Sequence, residues 1–196
     1  MGLTYGILVF DGVDELDFVG PWEVFSYAAS LHDEDRVVTI AEHERPIQCA
    51  NGLAILSDHT FDNAPDLDIL LAPGGMGTRT EVNNAVLIDW LKKAGIRCQW
   101  VTSVCTGALL LHEAGFTRGR RVTTHWSFVE RLRERGDVTV VEGVRYVCDG
   151  NLLTAAGVSA GIDMSLWLLG QLYDPDFARQ VQKLIEYYPE PPYGDA

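Results

Sequence analysis

The sequence predicts an α/β three-layer sandwich, a mostly parallel sheet with helices on both faces, and two observations carry this. Short β-rich runs alternate with stretches of helical period, and βα repetition of this kind buries both faces of a parallel sheet. Three apolar strands also run into loops rich in glycine, acid or cysteine, at the carboxyl ends where open sheets bind ligands.

Tyr5 to Phe10 reads as the first strand. Gly20-Pro21 then signals the start of a helix with an aromatic stripe of Trp22 and Phe25. Strands follow at Arg36 to Ala41 and Leu67 to Ala72, a helix near Val82 to Ala94, a strand at Cys98 to Val104 and a helix to about Ala114. Ile162, Leu166, Leu169 and Tyr173 recur every three to four residues, one buried face of a long helix whose start is marked by Gly157 to Gly161. The turn-rich stretch Glu44 to Pro65 and the runs Val138 to Val141, Arg145 to Cys148 and Leu152 to Thr154 read as hairpins added to the sheet. Trp22, Trp126 and Trp167 could include a wall of the pocket, but large aromatics are more often ordinary core, and they are not counted among the site residues. Residues 1–196 form one expected domain, long enough and, at 47% apolar, rich enough to bury its own core.

Composition narrows the function. With 15 basic against 28 acidic residues, a net charge of -13, the chain would repel a phosphate backbone, so nucleic acid is not expected as a partner. No apolar run is long enough to span a bilayer, and no basic region with a cleavable apolar segment opens the chain; a soluble cytoplasmic protein away from membranes is expected. Cysteines 49, 98, 105 and 148 lack C-x-x-C spacing and read as free thiols in a reducing compartment. The five histidines lack ligand spacing, so no metal is expected.

Chemistry is expected in the loops Asp11 to Gly20, Pro73 to Thr80 and Ser103 to Gly107. The segment Q-W-V-T-S-V-C-T-G-A-L-L-L sets Cys105 where an apolar strand meets an apolar helix, between small residues, which reads as a nucleophile elbow. A helix start there offers unpaired N–H groups and partial positive charge, which favour thiolate; such sites hold cysteine pKa values at roughly 3.5 to 7.5. A small buried cysteine at a tight turn would give the same local pattern. Cys49, Cys98 and Cys148 lack the elbow context and read as structural.

Gly74 and Gly75, in P-G-G-M-G after an apolar strand, let the backbone turn its amides toward an anion or oxyanion; a plain tight turn is the other reading. Asp17, flanked by Leu16 and Phe18, stands apart from the solvated acids Asp11, Asp14 and Glu15, because a carboxyl in a partly apolar site has its pKa raised and can shuttle protons. Thr106 could cap the helix and His125 could simply be packed; each is also a candidate site residue.

These motifs, L-L-A-P-G-G, V-T-S-V-C-T-G-A and R-V-T-T-H-W, resemble the ThiJ/PfpI family of the class I glutamine amidotransferase-like superfamily along nearly the whole chain. The first loop D-G-V-D-E-L-D-F-V-G-P, the Cys105-Thr106 pair and the closing A-G-V-S-A-G-I-D and I-E-Y-Y-P-E-P-P look most like members that hydrate isonitriles. The resemblance implies a flavodoxin-like sandwich, usually a homodimer, with Cys105 as nucleophile, Asp17 and Thr106 as its partners, and a hydro-lyase reaction without cofactor. It departs from peptidase-like relatives, which have histidine where Thr106 stands, and from redox-protective and glyoxalase-like relatives, which have glutamate where Asp17 stands. Regulator relatives add a helix-turn-helix module for which 196 residues leave no room. Two other readings stay open: cysteine-dependent turnover of another small electrophile, such as a glyoxal or an amide, and a redox or ligand sensor without turnover.

Overall fold

The computed structural model describes residues 2–193. In chain order its elements are β1 (Thr4–Leu8), α1 (Glu15–Leu31), β2 (Arg36–Ala41), β3 (Ile47–Gln48), β4 (Ala54–Ile55), β5 (His59–Thr60) and β6 (Ile69–Ala72). Then come α2 (Thr78–Glu81), α3 (Ala85–Gly95), β7 (Trp100–Val104), α4 (Gly107–Glu113), β8 (Arg121–Val122), α5 (Val129–Arg133) and β9 (Thr139–Val140). The last are β10 (Tyr146–Asp149), β11 (Leu152–Ala155), α6 (Ala160–Leu172) and α7 (Pro175–Leu184).

Seven strands form the central sheet in the order β10-β11-β7-β6-β1-β2-β5, parallel except for β10. Every residue of β1, β6 and β11 is buried, as a sheet covered on both faces requires. Helices α1, α6 and α7 pack together, and α3 and α4 form a second group. The chain passes from β1 outward to β2 and later returns to β6 on the other side of β1. That reversal makes the crevice above β1 and β6 the topological switch point.

The sandwich expected from βα alternation is therefore present, with differences that have physical causes. Helix α1 begins at Glu15, five residues before Gly20 of the Gly20-Pro21 signal: Asp14 caps it by accepting from the Leu16 N–H at 3.2 Å, and Pro21 lies inside it. Gly20 and Pro21 serve packing instead. A Cβ on Gly20 would lie 3.0 Å from Ile162 Cγ1, and one on Gly161 would lie 3.2 Å from Pro21 Cγ, so these positions let α1 and α6 approach closely. The expected loop Asp11 to Gly20 thus ends at Asp14, and Asp17 belongs to the first turn of α1.

The helix expected near Val82 to Ala94 is split. Asn84 caps α3, its side chain accepting from the Val86 and Leu87 N–H groups, and α2 is a separate short turn. The run Val138 to Val141 forms no hairpin: β9 pairs with β8 in parallel. Arg145 to Cys148 and Leu152 to Thr154 do form one, and it joins the main sheet through β11 beside β7. Helix α7, unassigned from sequence, starts at Asp174-Pro175, with the Asp174 side chain capping two amides.

Candidate active site

Three adjacent strands in the middle of the sheet, β1, β6 and β7, deliver the expected residues to one place. Cys105 directly follows β7 with φ 57°, a left-handed conformation that costs a side-chain-bearing residue roughly 1–3 kcal/mol. The surroundings hold it there. Its N–H donates to the Ala155 carbonyl at 3.1 Å, and its own carbonyl accepts from Thr124 Oγ1 at 2.8 Å. The nucleophile elbow read from the sequence is thus a geometric fact about the backbone.

Asp17 is fully buried. The Gly74 N–H donates to its Oδ2 at 2.9 Å, and its Oδ1 has no hydrogen-bond partner. The Gly75 N–H donates to Thr106 Oγ1 at 3.1 Å, and the Thr106 and Thr78 hydroxyl oxygens lie 3.0 Å apart. Both glycine amides are thus engaged by protein oxygens: the cradle expected for a ligand anion holds Asp17 and Thr106 in this structure. Glycine is required at both positions. A Cβ on Gly74 would lie 2.6 Å from Thr106 Oγ1 and 2.7 Å from Asp17 Oδ2, and Gly75 has φ 123°. The loop is fastened to the start of α1 by the Asp14 N–H donating to the Gly74 carbonyl at 3.0 Å and by the Gly77 N–H donating to Gly12 at 2.9 Å.

Burial raises the Asp17 carboxyl to about 7, with the charge of Asp14 adding to the rise and the Gly74 N–H and the Cys105 thiol opposing it. Burial likewise pushes the Cys105 thiol up to about 12, reinforced by the Asp17 charge and opposed by the Thr106 backbone and hydroxyl. The pull toward thiolate expected at the elbow is therefore opposed by its surroundings. The helix start acts in the anticipated direction, but desolvation and the neighbouring carboxylate outweigh it. Burial thus favours the neutral forms of both the Cys105 thiol and the Asp17 carboxyl. Burial also raises Cys49 to about 11, with the charges of Glu15, Asp11 and Asp14 adding to the rise, and Cys98 to about 12, with Asp68 adding to it.

A cavity of about 210 Å³ opens onto Cys105 and Thr106, with Asp14, Gly75, His125 and Phe128 among its walls. Asp17 lies outside that wall, behind the thiol. His125 faces the cavity, but its Nδ1 accepts from the Ser127 N–H at 3.3 Å, and it takes no part in the Cys105–Asp17 pair. Three residues were not foreseen as site residues. Thr78 and Thr124 fix Thr106 and Cys105, and Arg79, its guanidinium 4.4 Å from the Phe128 ring centre, donates to the Gly75 carbonyl at 2.6 Å. Only the T-T of R-V-T-T-H-W hinted at Thr124. Trp126, expected in the core, is 81% exposed.

A strained cysteine elbow at the switch point of such a sheet, with a buried carboxyl behind it, defines a class. The chain belongs to the DJ-1/PfpI family, whose model matches residues 6–171. Among particular relatives it is 38% identical over 193 residues to an isonitrile hydratase of Pseudomonas putida, covering 98% of this chain and 82% of that protein. A ThiJ/PfpI family protein from Pseudomonas syringae superposes with TM-score 0.91 at 34% identity, covering 98% of this chain and 78% of that one. The chain is also 29% identical over 184 residues to the transcriptional regulator CdhR of Pseudomonas aeruginosa, spanning 54% of its length. Among the described residues no helix is long and apolar enough to cross a membrane.

Proposed function

We propose that this chain is an isonitrile hydratase, converting R–N≡C and water to the N-substituted formamide, with Cys105 as nucleophile, Asp17 as proton carrier and Thr106 as positioning group. The observation that carries the reading is the fully buried Asp17 carboxyl, held by the Gly74 N–H at 2.9 Å beside the strained Cys105 elbow. The 38% identical relative of that name supports it. The working form is a cytoplasmic homodimer of single-domain chains without nucleic-acid or membrane partners.

The reaction closes on these residues. Sγ bonds to the terminal carbon as its proton passes to ionised Asp17. Asp17 then returns that proton to the same carbon, leaving a thioimidate, R–N=CH–S. Water adds to the C=N carbon while Asp17 takes one of its protons and passes it to nitrogen. The second water proton reaches sulfur as the C–S bond breaks, releasing R–NH–CHO and restoring the thiol. The Thr106 hydroxyl, which favours the thiolate, stabilises the charge developing on sulfur. Gly74 and Gly75 serve by aiming Asp17 and Thr106.

The test is formamide production from cyclohexyl isocyanide by wild type and Cys105→Ala. Turnover by the wild type that vanishes in the variant is the expected result. A wild type that leaves the isocyanide unchanged, or a variant as active as its parent, would refute the proposal.

A further inference from the structure

Next to the catalytic cavity lies a second one of about 410 Å³, and the two share His125 and Val158 in their walls. The rest of its apolar wall includes Trp126, Val129, Val144 and Ala156. The two charged residues that reach it are already committed. Arg145 is paired with Asp163 and Glu142 with Arg133, so neither charge is free to select a charged ligand. Val158 stands between the cavities with φ 36°, a conformation that a β-branched side chain adopts only where its surroundings impose it. The His125 ring, which lines both cavities with it, is fixed by accepting from the Ser127 N–H and by packing so closely on Gly157 that a Cβ there would lie 2.9 Å from its Cδ2.

We infer that the second chamber receives the N-substituent of the substrate, that the preferred isonitriles carry an uncharged, bulky apolar group, and that His125 and Val158 form the waist that selects it. This rests on the proposed hydration reaction. An isonitrile is linear, so with its terminal carbon at Sγ the substituent is held away from the sulfur. The catalytic cavity alone is smaller than the roughly 300–1,000 Å³ of ordinary small-molecule sites. With its neighbour it reaches that size, and the added wall is largely hydrocarbon. His125 thereby acquires a role without entering proton transfer: it is a positioning residue for the substituent.

The test fills the chamber from its rim with Val144→Trp, an exposed loop position whose replacement leaves the core untouched. Two readouts are compared between wild type and variant: the ratio of kcat/KM for cyclohexyl isocyanide to that for methyl isocyanide, and calorimetric binding of N-cyclohexylformamide. The ratio is expected to fall at least tenfold, and the formamide to bind at least tenfold more weakly. A ratio and an affinity both within twofold of wild type would overturn the inference. A wild type that turns over neither isocyanide yet binds N-cyclohexylformamide, with that binding lost in the variant, would sustain the chamber and refute the hydration reaction. Absence of both turnover and binding in the wild type would refute both.

Discussion

Replacing Asp17 with Asn should stabilise the folded protein at mildly alkaline pH while removing its chemistry. Burial lifts this carboxyl from 3.8 to about 7, so the folded state holds its proton more tightly than the unfolded chain. For an acid raised in this way stability is lost as pH rises between those values, and ionising Asp17 in the fold costs roughly 4 kcal/mol once pH exceeds both. Asparagine keeps an oxygen to accept the Gly74 N–H but places its N–H₂ where Oδ1 has no partner, which costs about 1–3 kcal/mol. The variant is therefore expected to be more stable than wild type by about 1–3 kcal/mol near pH 8, and to lose about 2 kcal/mol of that advantage near pH 5.5. Urea unfolding of both proteins at the two pH values measures this directly. A stability difference that is the same at both, or one favouring wild type near pH 8, would show that Asp17 is not held as a desolvated carboxyl.

The rate should carry the same signature. Because ionised Asp17 must accept the thiol proton, kcat/KM is expected to rise tenfold per pH unit below about 7 and level off above it. Asp17→Asn should abolish that inflection and slow turnover on the order of a hundredfold or more; a flat wild-type profile would remove Asp17 from proton transfer. Gly74→Ala forces a methyl into contact with Thr106 and Asp17, so a loss of about 1–3 kcal/mol in unfolding and at least a tenfold fall in kcat are expected. An alanine variant with wild-type kcat would show that Gly74 does not set the geometry of the pair.

Legibility in the sequence followed the range of the interactions. Period and composition are local, so β1, β6, β7 and the helix after Cys105 could be read directly. The cysteine between an apolar strand and an apolar helix was visible for the same reason. Asp17 was legible through its apolar neighbours, although its place in α1 was not, because Gly20-Pro21 carries a helix-start signal that α1–α6 packing uses otherwise. The direction of the Cys105 shift depends on how deeply strands distant in sequence bury it, which residues 103–107 do not encode. Thr124 and Thr78 reach the site across 19 and 28 residues, and no spacing rule joins them to it. Trp126 was assigned to the core because large aromatics usually lie there, whereas here it sits at a rim.

The assembly of the Cys105–Asp17 site from segments around three central strands has a kinetic consequence. Asp17 and Gly74 are separated by 57 residues, and Gly75 and Thr106 by 31, so the contacts that bring Asp17 and Thr106 to the glycine loop close long loops. Such closures are slow steps in folding because their entropy is lost before any contact repays it. Local helices can form early without producing a working centre. On the proposed reaction, recovery of turnover during refolding will therefore lag behind recovery of helical signal and report on the docking of β1, β6 and β7, so that activity would time the assembly of the sheet.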